Sequence, residues 1–272
     1  MLKFDKISKQ KKNFSRLTGV TIKEFQEIVQ KARPYWDKLM SKKKVSGRTS
    51  KLKTLEDELL LLLIYYRFYV SFKFLEILFD MDASNICRHI NRLEKILAKA
   101  ITIKKDRTLT EQDLTILIDA TEIAIQRPKR GQRKFYSGKK RKHVLKEEIQ
   151  TDQYGKILNI SKSYEGRMHD FKIRKKSDHI PKNAEVQADS GYQGLQKIHK
   201  NTKIPYKRRR NKPLTPEQKA HNSKLASSRI TVEHVFAQLK KFKILGTVYR
   251  NFRKKLNLRF NIIAGIYNLR FG

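Results

Sequence analysis

The spacing of apolar residues changes period once along this chain, and that change limits the folds open to it. Between Thr54 and Leu97 apolar residues recur every three or four positions; from Leu114 onward they come as short runs and alternations. The first pattern gathers side chains on one stripe of a helix, and the second suits strands buried on one or both faces. The expected class is therefore α/β (α+β): an all-α part over 1–105, then a mixed sheet flanked by helices over 106–272. The boundary is placed around Lys104 to Thr110.

Within the helical part, Thr21-Ile-Lys-Glu24 reads as a capping box opening a helix to about Ala32. A second start at Thr54, with Glu56 and Asp57 complementing the helix dipole, predicts a largely buried helix from Leu55 to about Tyr69. Phe72, Leu75 and Phe79, then Ile86, Ile90, Leu93 and Leu97, flank the break Asp80-Met-Asp82 and predict two helices joined by a tight turn, with Asp82 as N-cap. The outer face of the second would carry Ser84, Asn85, Arg88, His89 and Arg92, all able to bond phosphates or base edges. Helical hairpins of this kind also occur in proteins that never touch DNA. Charge bears on the choice: 63 Lys and Arg face 26 acids, a net +37, far beyond what solubility needs. Such self-repulsion points to a polyanionic partner, double-stranded DNA.

Other partners fit less well. The cations are spread over the whole chain rather than set on one amphipathic helix, which weighs against a membrane surface. The apolar run Leu59 to Tyr66 ends at Arg67, short of a bilayer span, and the charged start does not resemble a secretory signal, so no membrane is expected. Cys87 is the only cysteine, which excludes an internal disulfide and a cysteine-based zinc site and fits a reducing, cytoplasmic, nucleoid-associated setting.

In the second part, Leu114 to Ile118 and Glu122 to Ile125 read as two strands, and Val144 to Gln150 and Ile157 to Tyr164 flank the hairpin turn Asp152-Gln-Tyr-Gly155. A short helix near Asp170 to Lys176, a strand from Glu185 to Ala188, a helix near Gly191 and a long helix from about Thr215 to Phe242 follow. Three acids stand out. Asp119 closes the first strand, Asp189 closes another just before Ser190-Gly191, and Glu233 lies in the long helix. Brought together they would form a cluster of hard oxygen ligands, a seat for Mg²⁺ or Mn²⁺. At 100° per residue Arg229, Glu233 and Lys240 fall within about 40° of one another, beside the apolar stripe. Glu233 could thus reach the strand-end acids while Arg229 and Lys240 hold phosphates; equally, Arg229 and Glu233 could form an ordinary surface i,i+4 pair.

Four segments carry a family resemblance: Asp119-Ala-Thr-Glu122, Gly166-Arg-Met-His-Asp170, Ala188-Asp-Ser-Gly-Tyr192 and Arg229-Ile-Thr-Val-Glu-His-Val-Phe-Ala-Gln-Leu-Lys240. In this order, over roughly residues 50 to 270, they resemble the signatures of DDE transposases of bacterial insertion sequences, in the branch related to Harbinger-type elements and the DDE superfamily endonucleases. The resemblance implies a ribonuclease H-like fold with Asp119, Asp189 and Glu233 as the metal-binding catalytic triad. It also implies two Mg²⁺ (or Mn²⁺) ions per site, and a homodimer or higher assembly that binds terminal inverted repeats, cleaves DNA and transfers the strand. Members often show Tyr, Arg, Glu, Lys on the last helix; here the Tyr place holds Ala226. His169 and Asp170 match a His-Asp pair of the family and are left outside the triad, as a hydrogen-bonding pair at a helix start or a catalytic one.

Basic stretches complete the inventory. Arg127 to Lys142 holds nine cations and no acid, among them Arg130, Arg133 and Lys134, with Phe135 and Tyr136 between them. It suits phosphate contacts with stacking on an unpaired base, or a merely solvated loop. Arg208, Arg209 and Arg210 read the same way, and Arg250 to Arg270 reads as a helix packed on the domain with an outer face for DNA. The rival from another class is a non-catalytic or domesticated helix-turn-helix DNA-binding regulator; a third is a structure-selective nuclease of the same fold.

Overall fold

Thr21 opens its helix as the capping box requires: its hydroxyl accepts from Glu24 N at 3.2 Å, and Glu24 returns the bond to Thr21 N at 2.6 Å. In the computed structural model, which describes residues 1–42, 49–103, 114–177, 180–208 and 213–271, this helix is the third of six that precede the sheet. They are α1 (Phe4–Ile7), α2 (Lys11–Thr18), α3 (Ile22–Ser41), α4 (Leu55–Phe68), α5 (Phe72–Phe79) and α6 (Ala83–Ala100). After them come β1 (Thr115–Ala124), α7 (Gln132–Phe135), β2 (Tyr136–Ser137), β3 (Lys142–Asp152), β4 (Ile157–Ile160), β5 (Tyr164–Glu165), α8 (Asp170–Lys176), β6 (Glu185–Ala188) and β7 (Thr202–Lys203). The chain ends with α9 (Pro216–Lys240), α10 (Lys243–Gly246) and α11 (Leu256–Asn268).

Two compact units result: Met1–Thr102 with Leu239–Thr247 and Leu258–Gly272, and Ile103–Gln238 with Val248–Asn257. The expected boundary around Lys104 to Thr110 lies outside the described residues. The last two helices group with the helical unit, whereas the sequence places them with the sheet; α10 packs against α4 there.

The helical unit is built around α4, buried from Leu59 to Leu63 on every side. It packs against α2, α3, α6 and α10, so no polar face is left to it. Phe4 stacks on Phe25 at 4.8 Å, and Phe14 meets both edge-on. The helix expected to stop at Ala32 runs to Ser41 through Pro34. Proline removes one ladder bond, but buried Phe25, Ile28 and Ala32 on one side and the Arg33–Glu56 pair hold the helix on course. As expected, Thr54 caps α4 through Asp57 N, and Asp82 caps α6 through Ser84 N at 2.7 Å.

The sheet unit has the mixed α/β architecture expected. β1 lies at its centre, antiparallel to β3 on one side and parallel to β6 on the other, and β7 extends the parallel edge. β4 and β5 pair β3, forming the meander whose turn is held by Asp152 Oδ1, accepting from Tyr154 N and Lys156 N at 2.9 Å each. The two strands expected around Asp119 are one strand, Thr115–Ala124. β3 is long enough to pair it continuously from Ile116↔Asp152 to Ala124↔Val144, so the strand carries through Asp119 instead of ending there. Ile116, Ile118, Val186, Ala188, Tyr192 and Leu195 form the core beside it.

Candidate active site

Register brings the first two acids together. β1 and β6 run parallel with Ile118 opposite Ala188, so the next residue on each, Asp119 and Asp189, emerges at the same level. Neighbouring strands are about 4.8 Å apart. Each carboxylate is steadied by its own backbone: Asp119 Oδ1 accepts from Ala120 N at 2.8 Å, and Asp189 Oδ1 from Gly191 N at 2.6 Å, starting a short 3-10 turn. Burial pushes the Asp119 carboxyl up to about 6. The Ala120 amide and Arg229 oppose that rise, and the nearby charges of Asp189 and Asp170 add to it.

Asp170, which opens α8, joins this group. Lys146 Nζ donates to its Oδ1 at 2.9 Å and to Met168 O at 3.0 Å, and lies 3.8 Å from Glu122. His169 sits before the helix without a capping bond and exposed. Gly191 leaves room for both carboxylates, because a Cβ there would stand 2.8 Å from Asp170 Oδ2 and 2.9 Å from Asp189 Oδ1. Beneath lies a buried layer. Arg174 holds Glu148 at 2.6 Å, yet burial still pushes that carboxyl up to about 7. Tyr192, fully buried, has its hydroxyl pushed well above its ordinary value by burial and then by Glu148, Asp119 and the other acids.

Glu233 stands apart from this group. It projects from α9 with its side chain 60% exposed and meets Arg229 at 3.8 Å, the i,i+4 pair that periodicity also allowed. Among the described residues no three Asp, Glu, His or Cys side chains lie at a spacing that would hold one ion. The donors nonetheless fit magnesium or manganese in kind: hard carboxylate oxygens, mutually repelling, with an ammonium group standing in as cation on Asp170. The charge of Arg229 acts on Asp119, and Glu233 follows Arg229 one turn on along α9. Lys240 lies half-buried at the end of the same helix.

Of the residues expected on the outer face of α6, His89 is not on it. Ser84, Asn85 and Arg88 are exposed on α6, Arg88 bonding Asn85 Oδ1 at 2.9 Å. His89 is buried and turned inward, with Nδ1 3.2 Å from Glu58 Oε1 and Nε2 3.2 Å from Ser50 Oγ; Arg92 follows it, donating to Glu58. Glu58 is a carboxylate buried on α4 and draws in the nearest donors, which removes His89 from any DNA-facing surface. Apolar spacing around the helix gives no sign of an acid on its neighbour. A cavity of about 610 Å³ opens beside His89, Arg88 and Asn85.

In the basic stretch Arg130, Arg133 and Lys134 are exposed on and before α7. A recess of about 650 Å³ there is lined by Arg127, Arg133, Tyr136, His143 and Arg167, the last two missed because they come from β3 and the β5–α8 turn. Arg208 is exposed beside Tyr206 and His221, whose rings meet at 5.1 Å; Arg209 and Arg210 lie outside the described residues. Among the described residues no helix is long and apolar enough to cross a membrane.

Comparison with known proteins agrees in order and extent. The profile described as "DDE superfamily endonuclease" matches residues 118–268, and that described as "Helix-turn-helix of DDE superfamily endonuclease" matches 50–103. A probable transposase for insertion sequence element IS702 of Microchaete diplosiphon is 37% identical over 263 residues, 94% of each chain. A putative transposase for element IS112 of Streptomyces albus G is 26% identical over 239 residues, 86% of this chain and 81% of that one. No solved structure matches significantly.

Proposed function

Because this chain belongs to the DDE superfamily endonucleases and carries their helix-turn-helix, we propose that it is an insertion-sequence transposase that binds the terminal inverted repeats of its element, cleaves there and joins the freed 3′ ends to target DNA. The observation that carries this is the meeting of Asp119 and Asp189, 70 positions apart in sequence, at one level of adjacent parallel strands.

Asp119, Asp189 and Glu233 are the residues assigned to hold the divalent ions. Two such ions, when bound, supply activation of the attacking oxygen and relief of charge on the departing one. In this reading Glu233 gives up its pair with Arg229, worth at most about 1 kcal/mol, to join the aspartates. Arg229, released, faces the acids from α9 and is placed to hold a non-bridging phosphate oxygen, with Lys240 farther along the strand. Buried Tyr192 and the Glu148–Arg174 pair stiffen the floor under the two aspartates. Ser84, Asn85 and Arg88 are assigned to the repeat DNA; Arg130, Arg133, Lys134, Arg208, Arg209 and Arg210 to its backbone. Arg92 and His89 keep the recognition helix in place through Glu58. A homodimer would handle the two element ends together.

The test is incubation of supercoiled plasmid carrying the element ends with Mg²⁺. Asp119→Asn, Asp189→Asn and Glu233→Gln should each stop nicking while still shifting the repeat DNA in a gel. Wild-type chain that shifts but never cuts would instead support a regulator, and cutting without joined products a nuclease.

A further inference from the structure

Asp170 lies in the segment matching the family's His-Asp pair but outside the three acids assigned above, and its surroundings distinguish it from a helix-start residue. Its side chain is 26% exposed, with Oδ1 held by Lys146 at 2.9 Å. Its Oδ2 is turned the other way, to the point where Gly191 has no side chain, and Asp189 Oδ1 borders the same point. A side chain at this point would push the two carboxylates aside. The charge of Asp170 reaches Asp119 as well. His169, its sequence neighbour, makes no capping bond and is exposed.

Lys146 is the unusual member. It projects from β3 opposite Glu122, its side chain 13% exposed, and binds the Met168 carbonyl as well as Asp170. Among the described residues no other Lys or Arg forms an ion pair with Asp119, Asp170 or Asp189. Direct pairing at these acids is thus confined to Lys146 on Asp170, while Arg229 acts on Asp119 from farther away. An ammonium on a flexible stem is a compact charge that can withdraw when a stronger one arrives.

We propose that Asp170 is a fourth metal-facing carboxylate of this site, and that Lys146 is a tethered cation that occupies it until a divalent ion binds. The proposal rests on the assignment of Asp119 and Asp189 to the metal. Removing Asp170 takes away a donor next to Asp189, and removing Lys146 takes away the competitor, so the two changes act in opposite directions on ion affinity.

The experiment is a titration of the full chain, free of DNA, with Mn²⁺, following the free ion by its paramagnetic resonance. Asp170→Asn should weaken binding about tenfold or more, with the melting temperature and the gel shift on repeat DNA unchanged. Lys146→Met should tighten Mn²⁺ binding. Asp119→Asn serves as reference. If it binds Mn²⁺ like wild type, the underlying assignment of the site fails; if it weakens while Asp170→Asn does not, Asp170 alone is misassigned. Should Asp170→Asn not fold, Lys146→Met decides, since unchanged or weaker Mn²⁺ binding in that variant overturns the proposal.

Discussion

The helical unit and the candidate site treat their acids in opposite ways. In the helical unit each buried acid is matched by a fixed cation or donor: Glu94 by Arg259 at 2.6 Å and Tyr66 at 3.1 Å, Glu58 by Arg92 and His89. In the sheet unit Glu148 is likewise paired, with Arg174, but the half-buried Asp119, Asp170 and Asp189 crowd one another with Lys146 on Asp170 and Arg229 opposing the rise at Asp119, and burial pushes Glu147 up to about 8. An acid paired with a cation on a neighbouring helix ties the two helices together. An undermatched cluster stores repulsion that a bound divalent ion can relieve. On the function proposed above, the difference separates a scaffold from a site that receives a metal ion.

The largest effect that would break this contrast is loss of an undermatched acid. Asp119→Asn should lower plasmid cleavage on the order of 10⁴-fold, about 5.5 kcal/mol, while urea unfolding stays within about 1 kcal/mol of wild type; a variant that still nicks at near wild-type rate removes Asp119 from the chemistry. Loss of a matched cation should do the reverse. Arg259→Met leaves Glu94 charged and buried, so urea unfolding should shift by about 3–5 kcal/mol, with a normal cleavage rate per folded molecule; an unchanged unfolding curve would show that Glu94 has other support.

Protonation sharpens the comparison next. Glu147 has its folded value raised from 4.5 to about 8, so the native state holds a proton that the unfolded chain gives up. Its contribution is complete below about pH 4.5 and declines as pH rises towards 8, with a slope of at most about 1.4 kcal/mol per pH unit. Glu147→Gln should flatten the fall in stability over that window, measured by melts from pH 5 to 9; an identical pH profile would mean the carboxyl is already charged. The smallest effect is expected on the exposed face of α6, where Arg88→Ala should weaken repeat-DNA binding by about 1–3 kcal/mol. His89→Ala should instead lower melting temperature more than DNA affinity, the mark of a buried residue.

Where local chemistry governs, the sequence was a faithful guide. Thr21 with Glu24, Thr54, and Asp82 cap the helices they were expected to cap, and Asp152 to Gly155 makes its turn, because each of these bonds closes within about four residues. The order of four acidic and basic signatures also pointed to the correct family. Where a distant partner governs, it was silent. Pro34 fails to end α3 because packing supports it, the break expected after Ile118 is bridged by β3, and His89 turns inward for an acid 31 positions earlier.

For the site itself, the types of residue and their settings named Asp119 and Asp189 as partners without the coordinates. Tertiary structure alone decided that Ile118 pairs with Ala188 and so levels the two carboxylates, that Asp170 and Lys146 enter beside them, and that Glu233 rests against Arg229. The reason is physical: a cap or a turn is settled by bonds between near neighbours, whereas the register of strands 70 residues apart is settled by which pairing buries the shared core, and only that pairing fixes which charges must face one another.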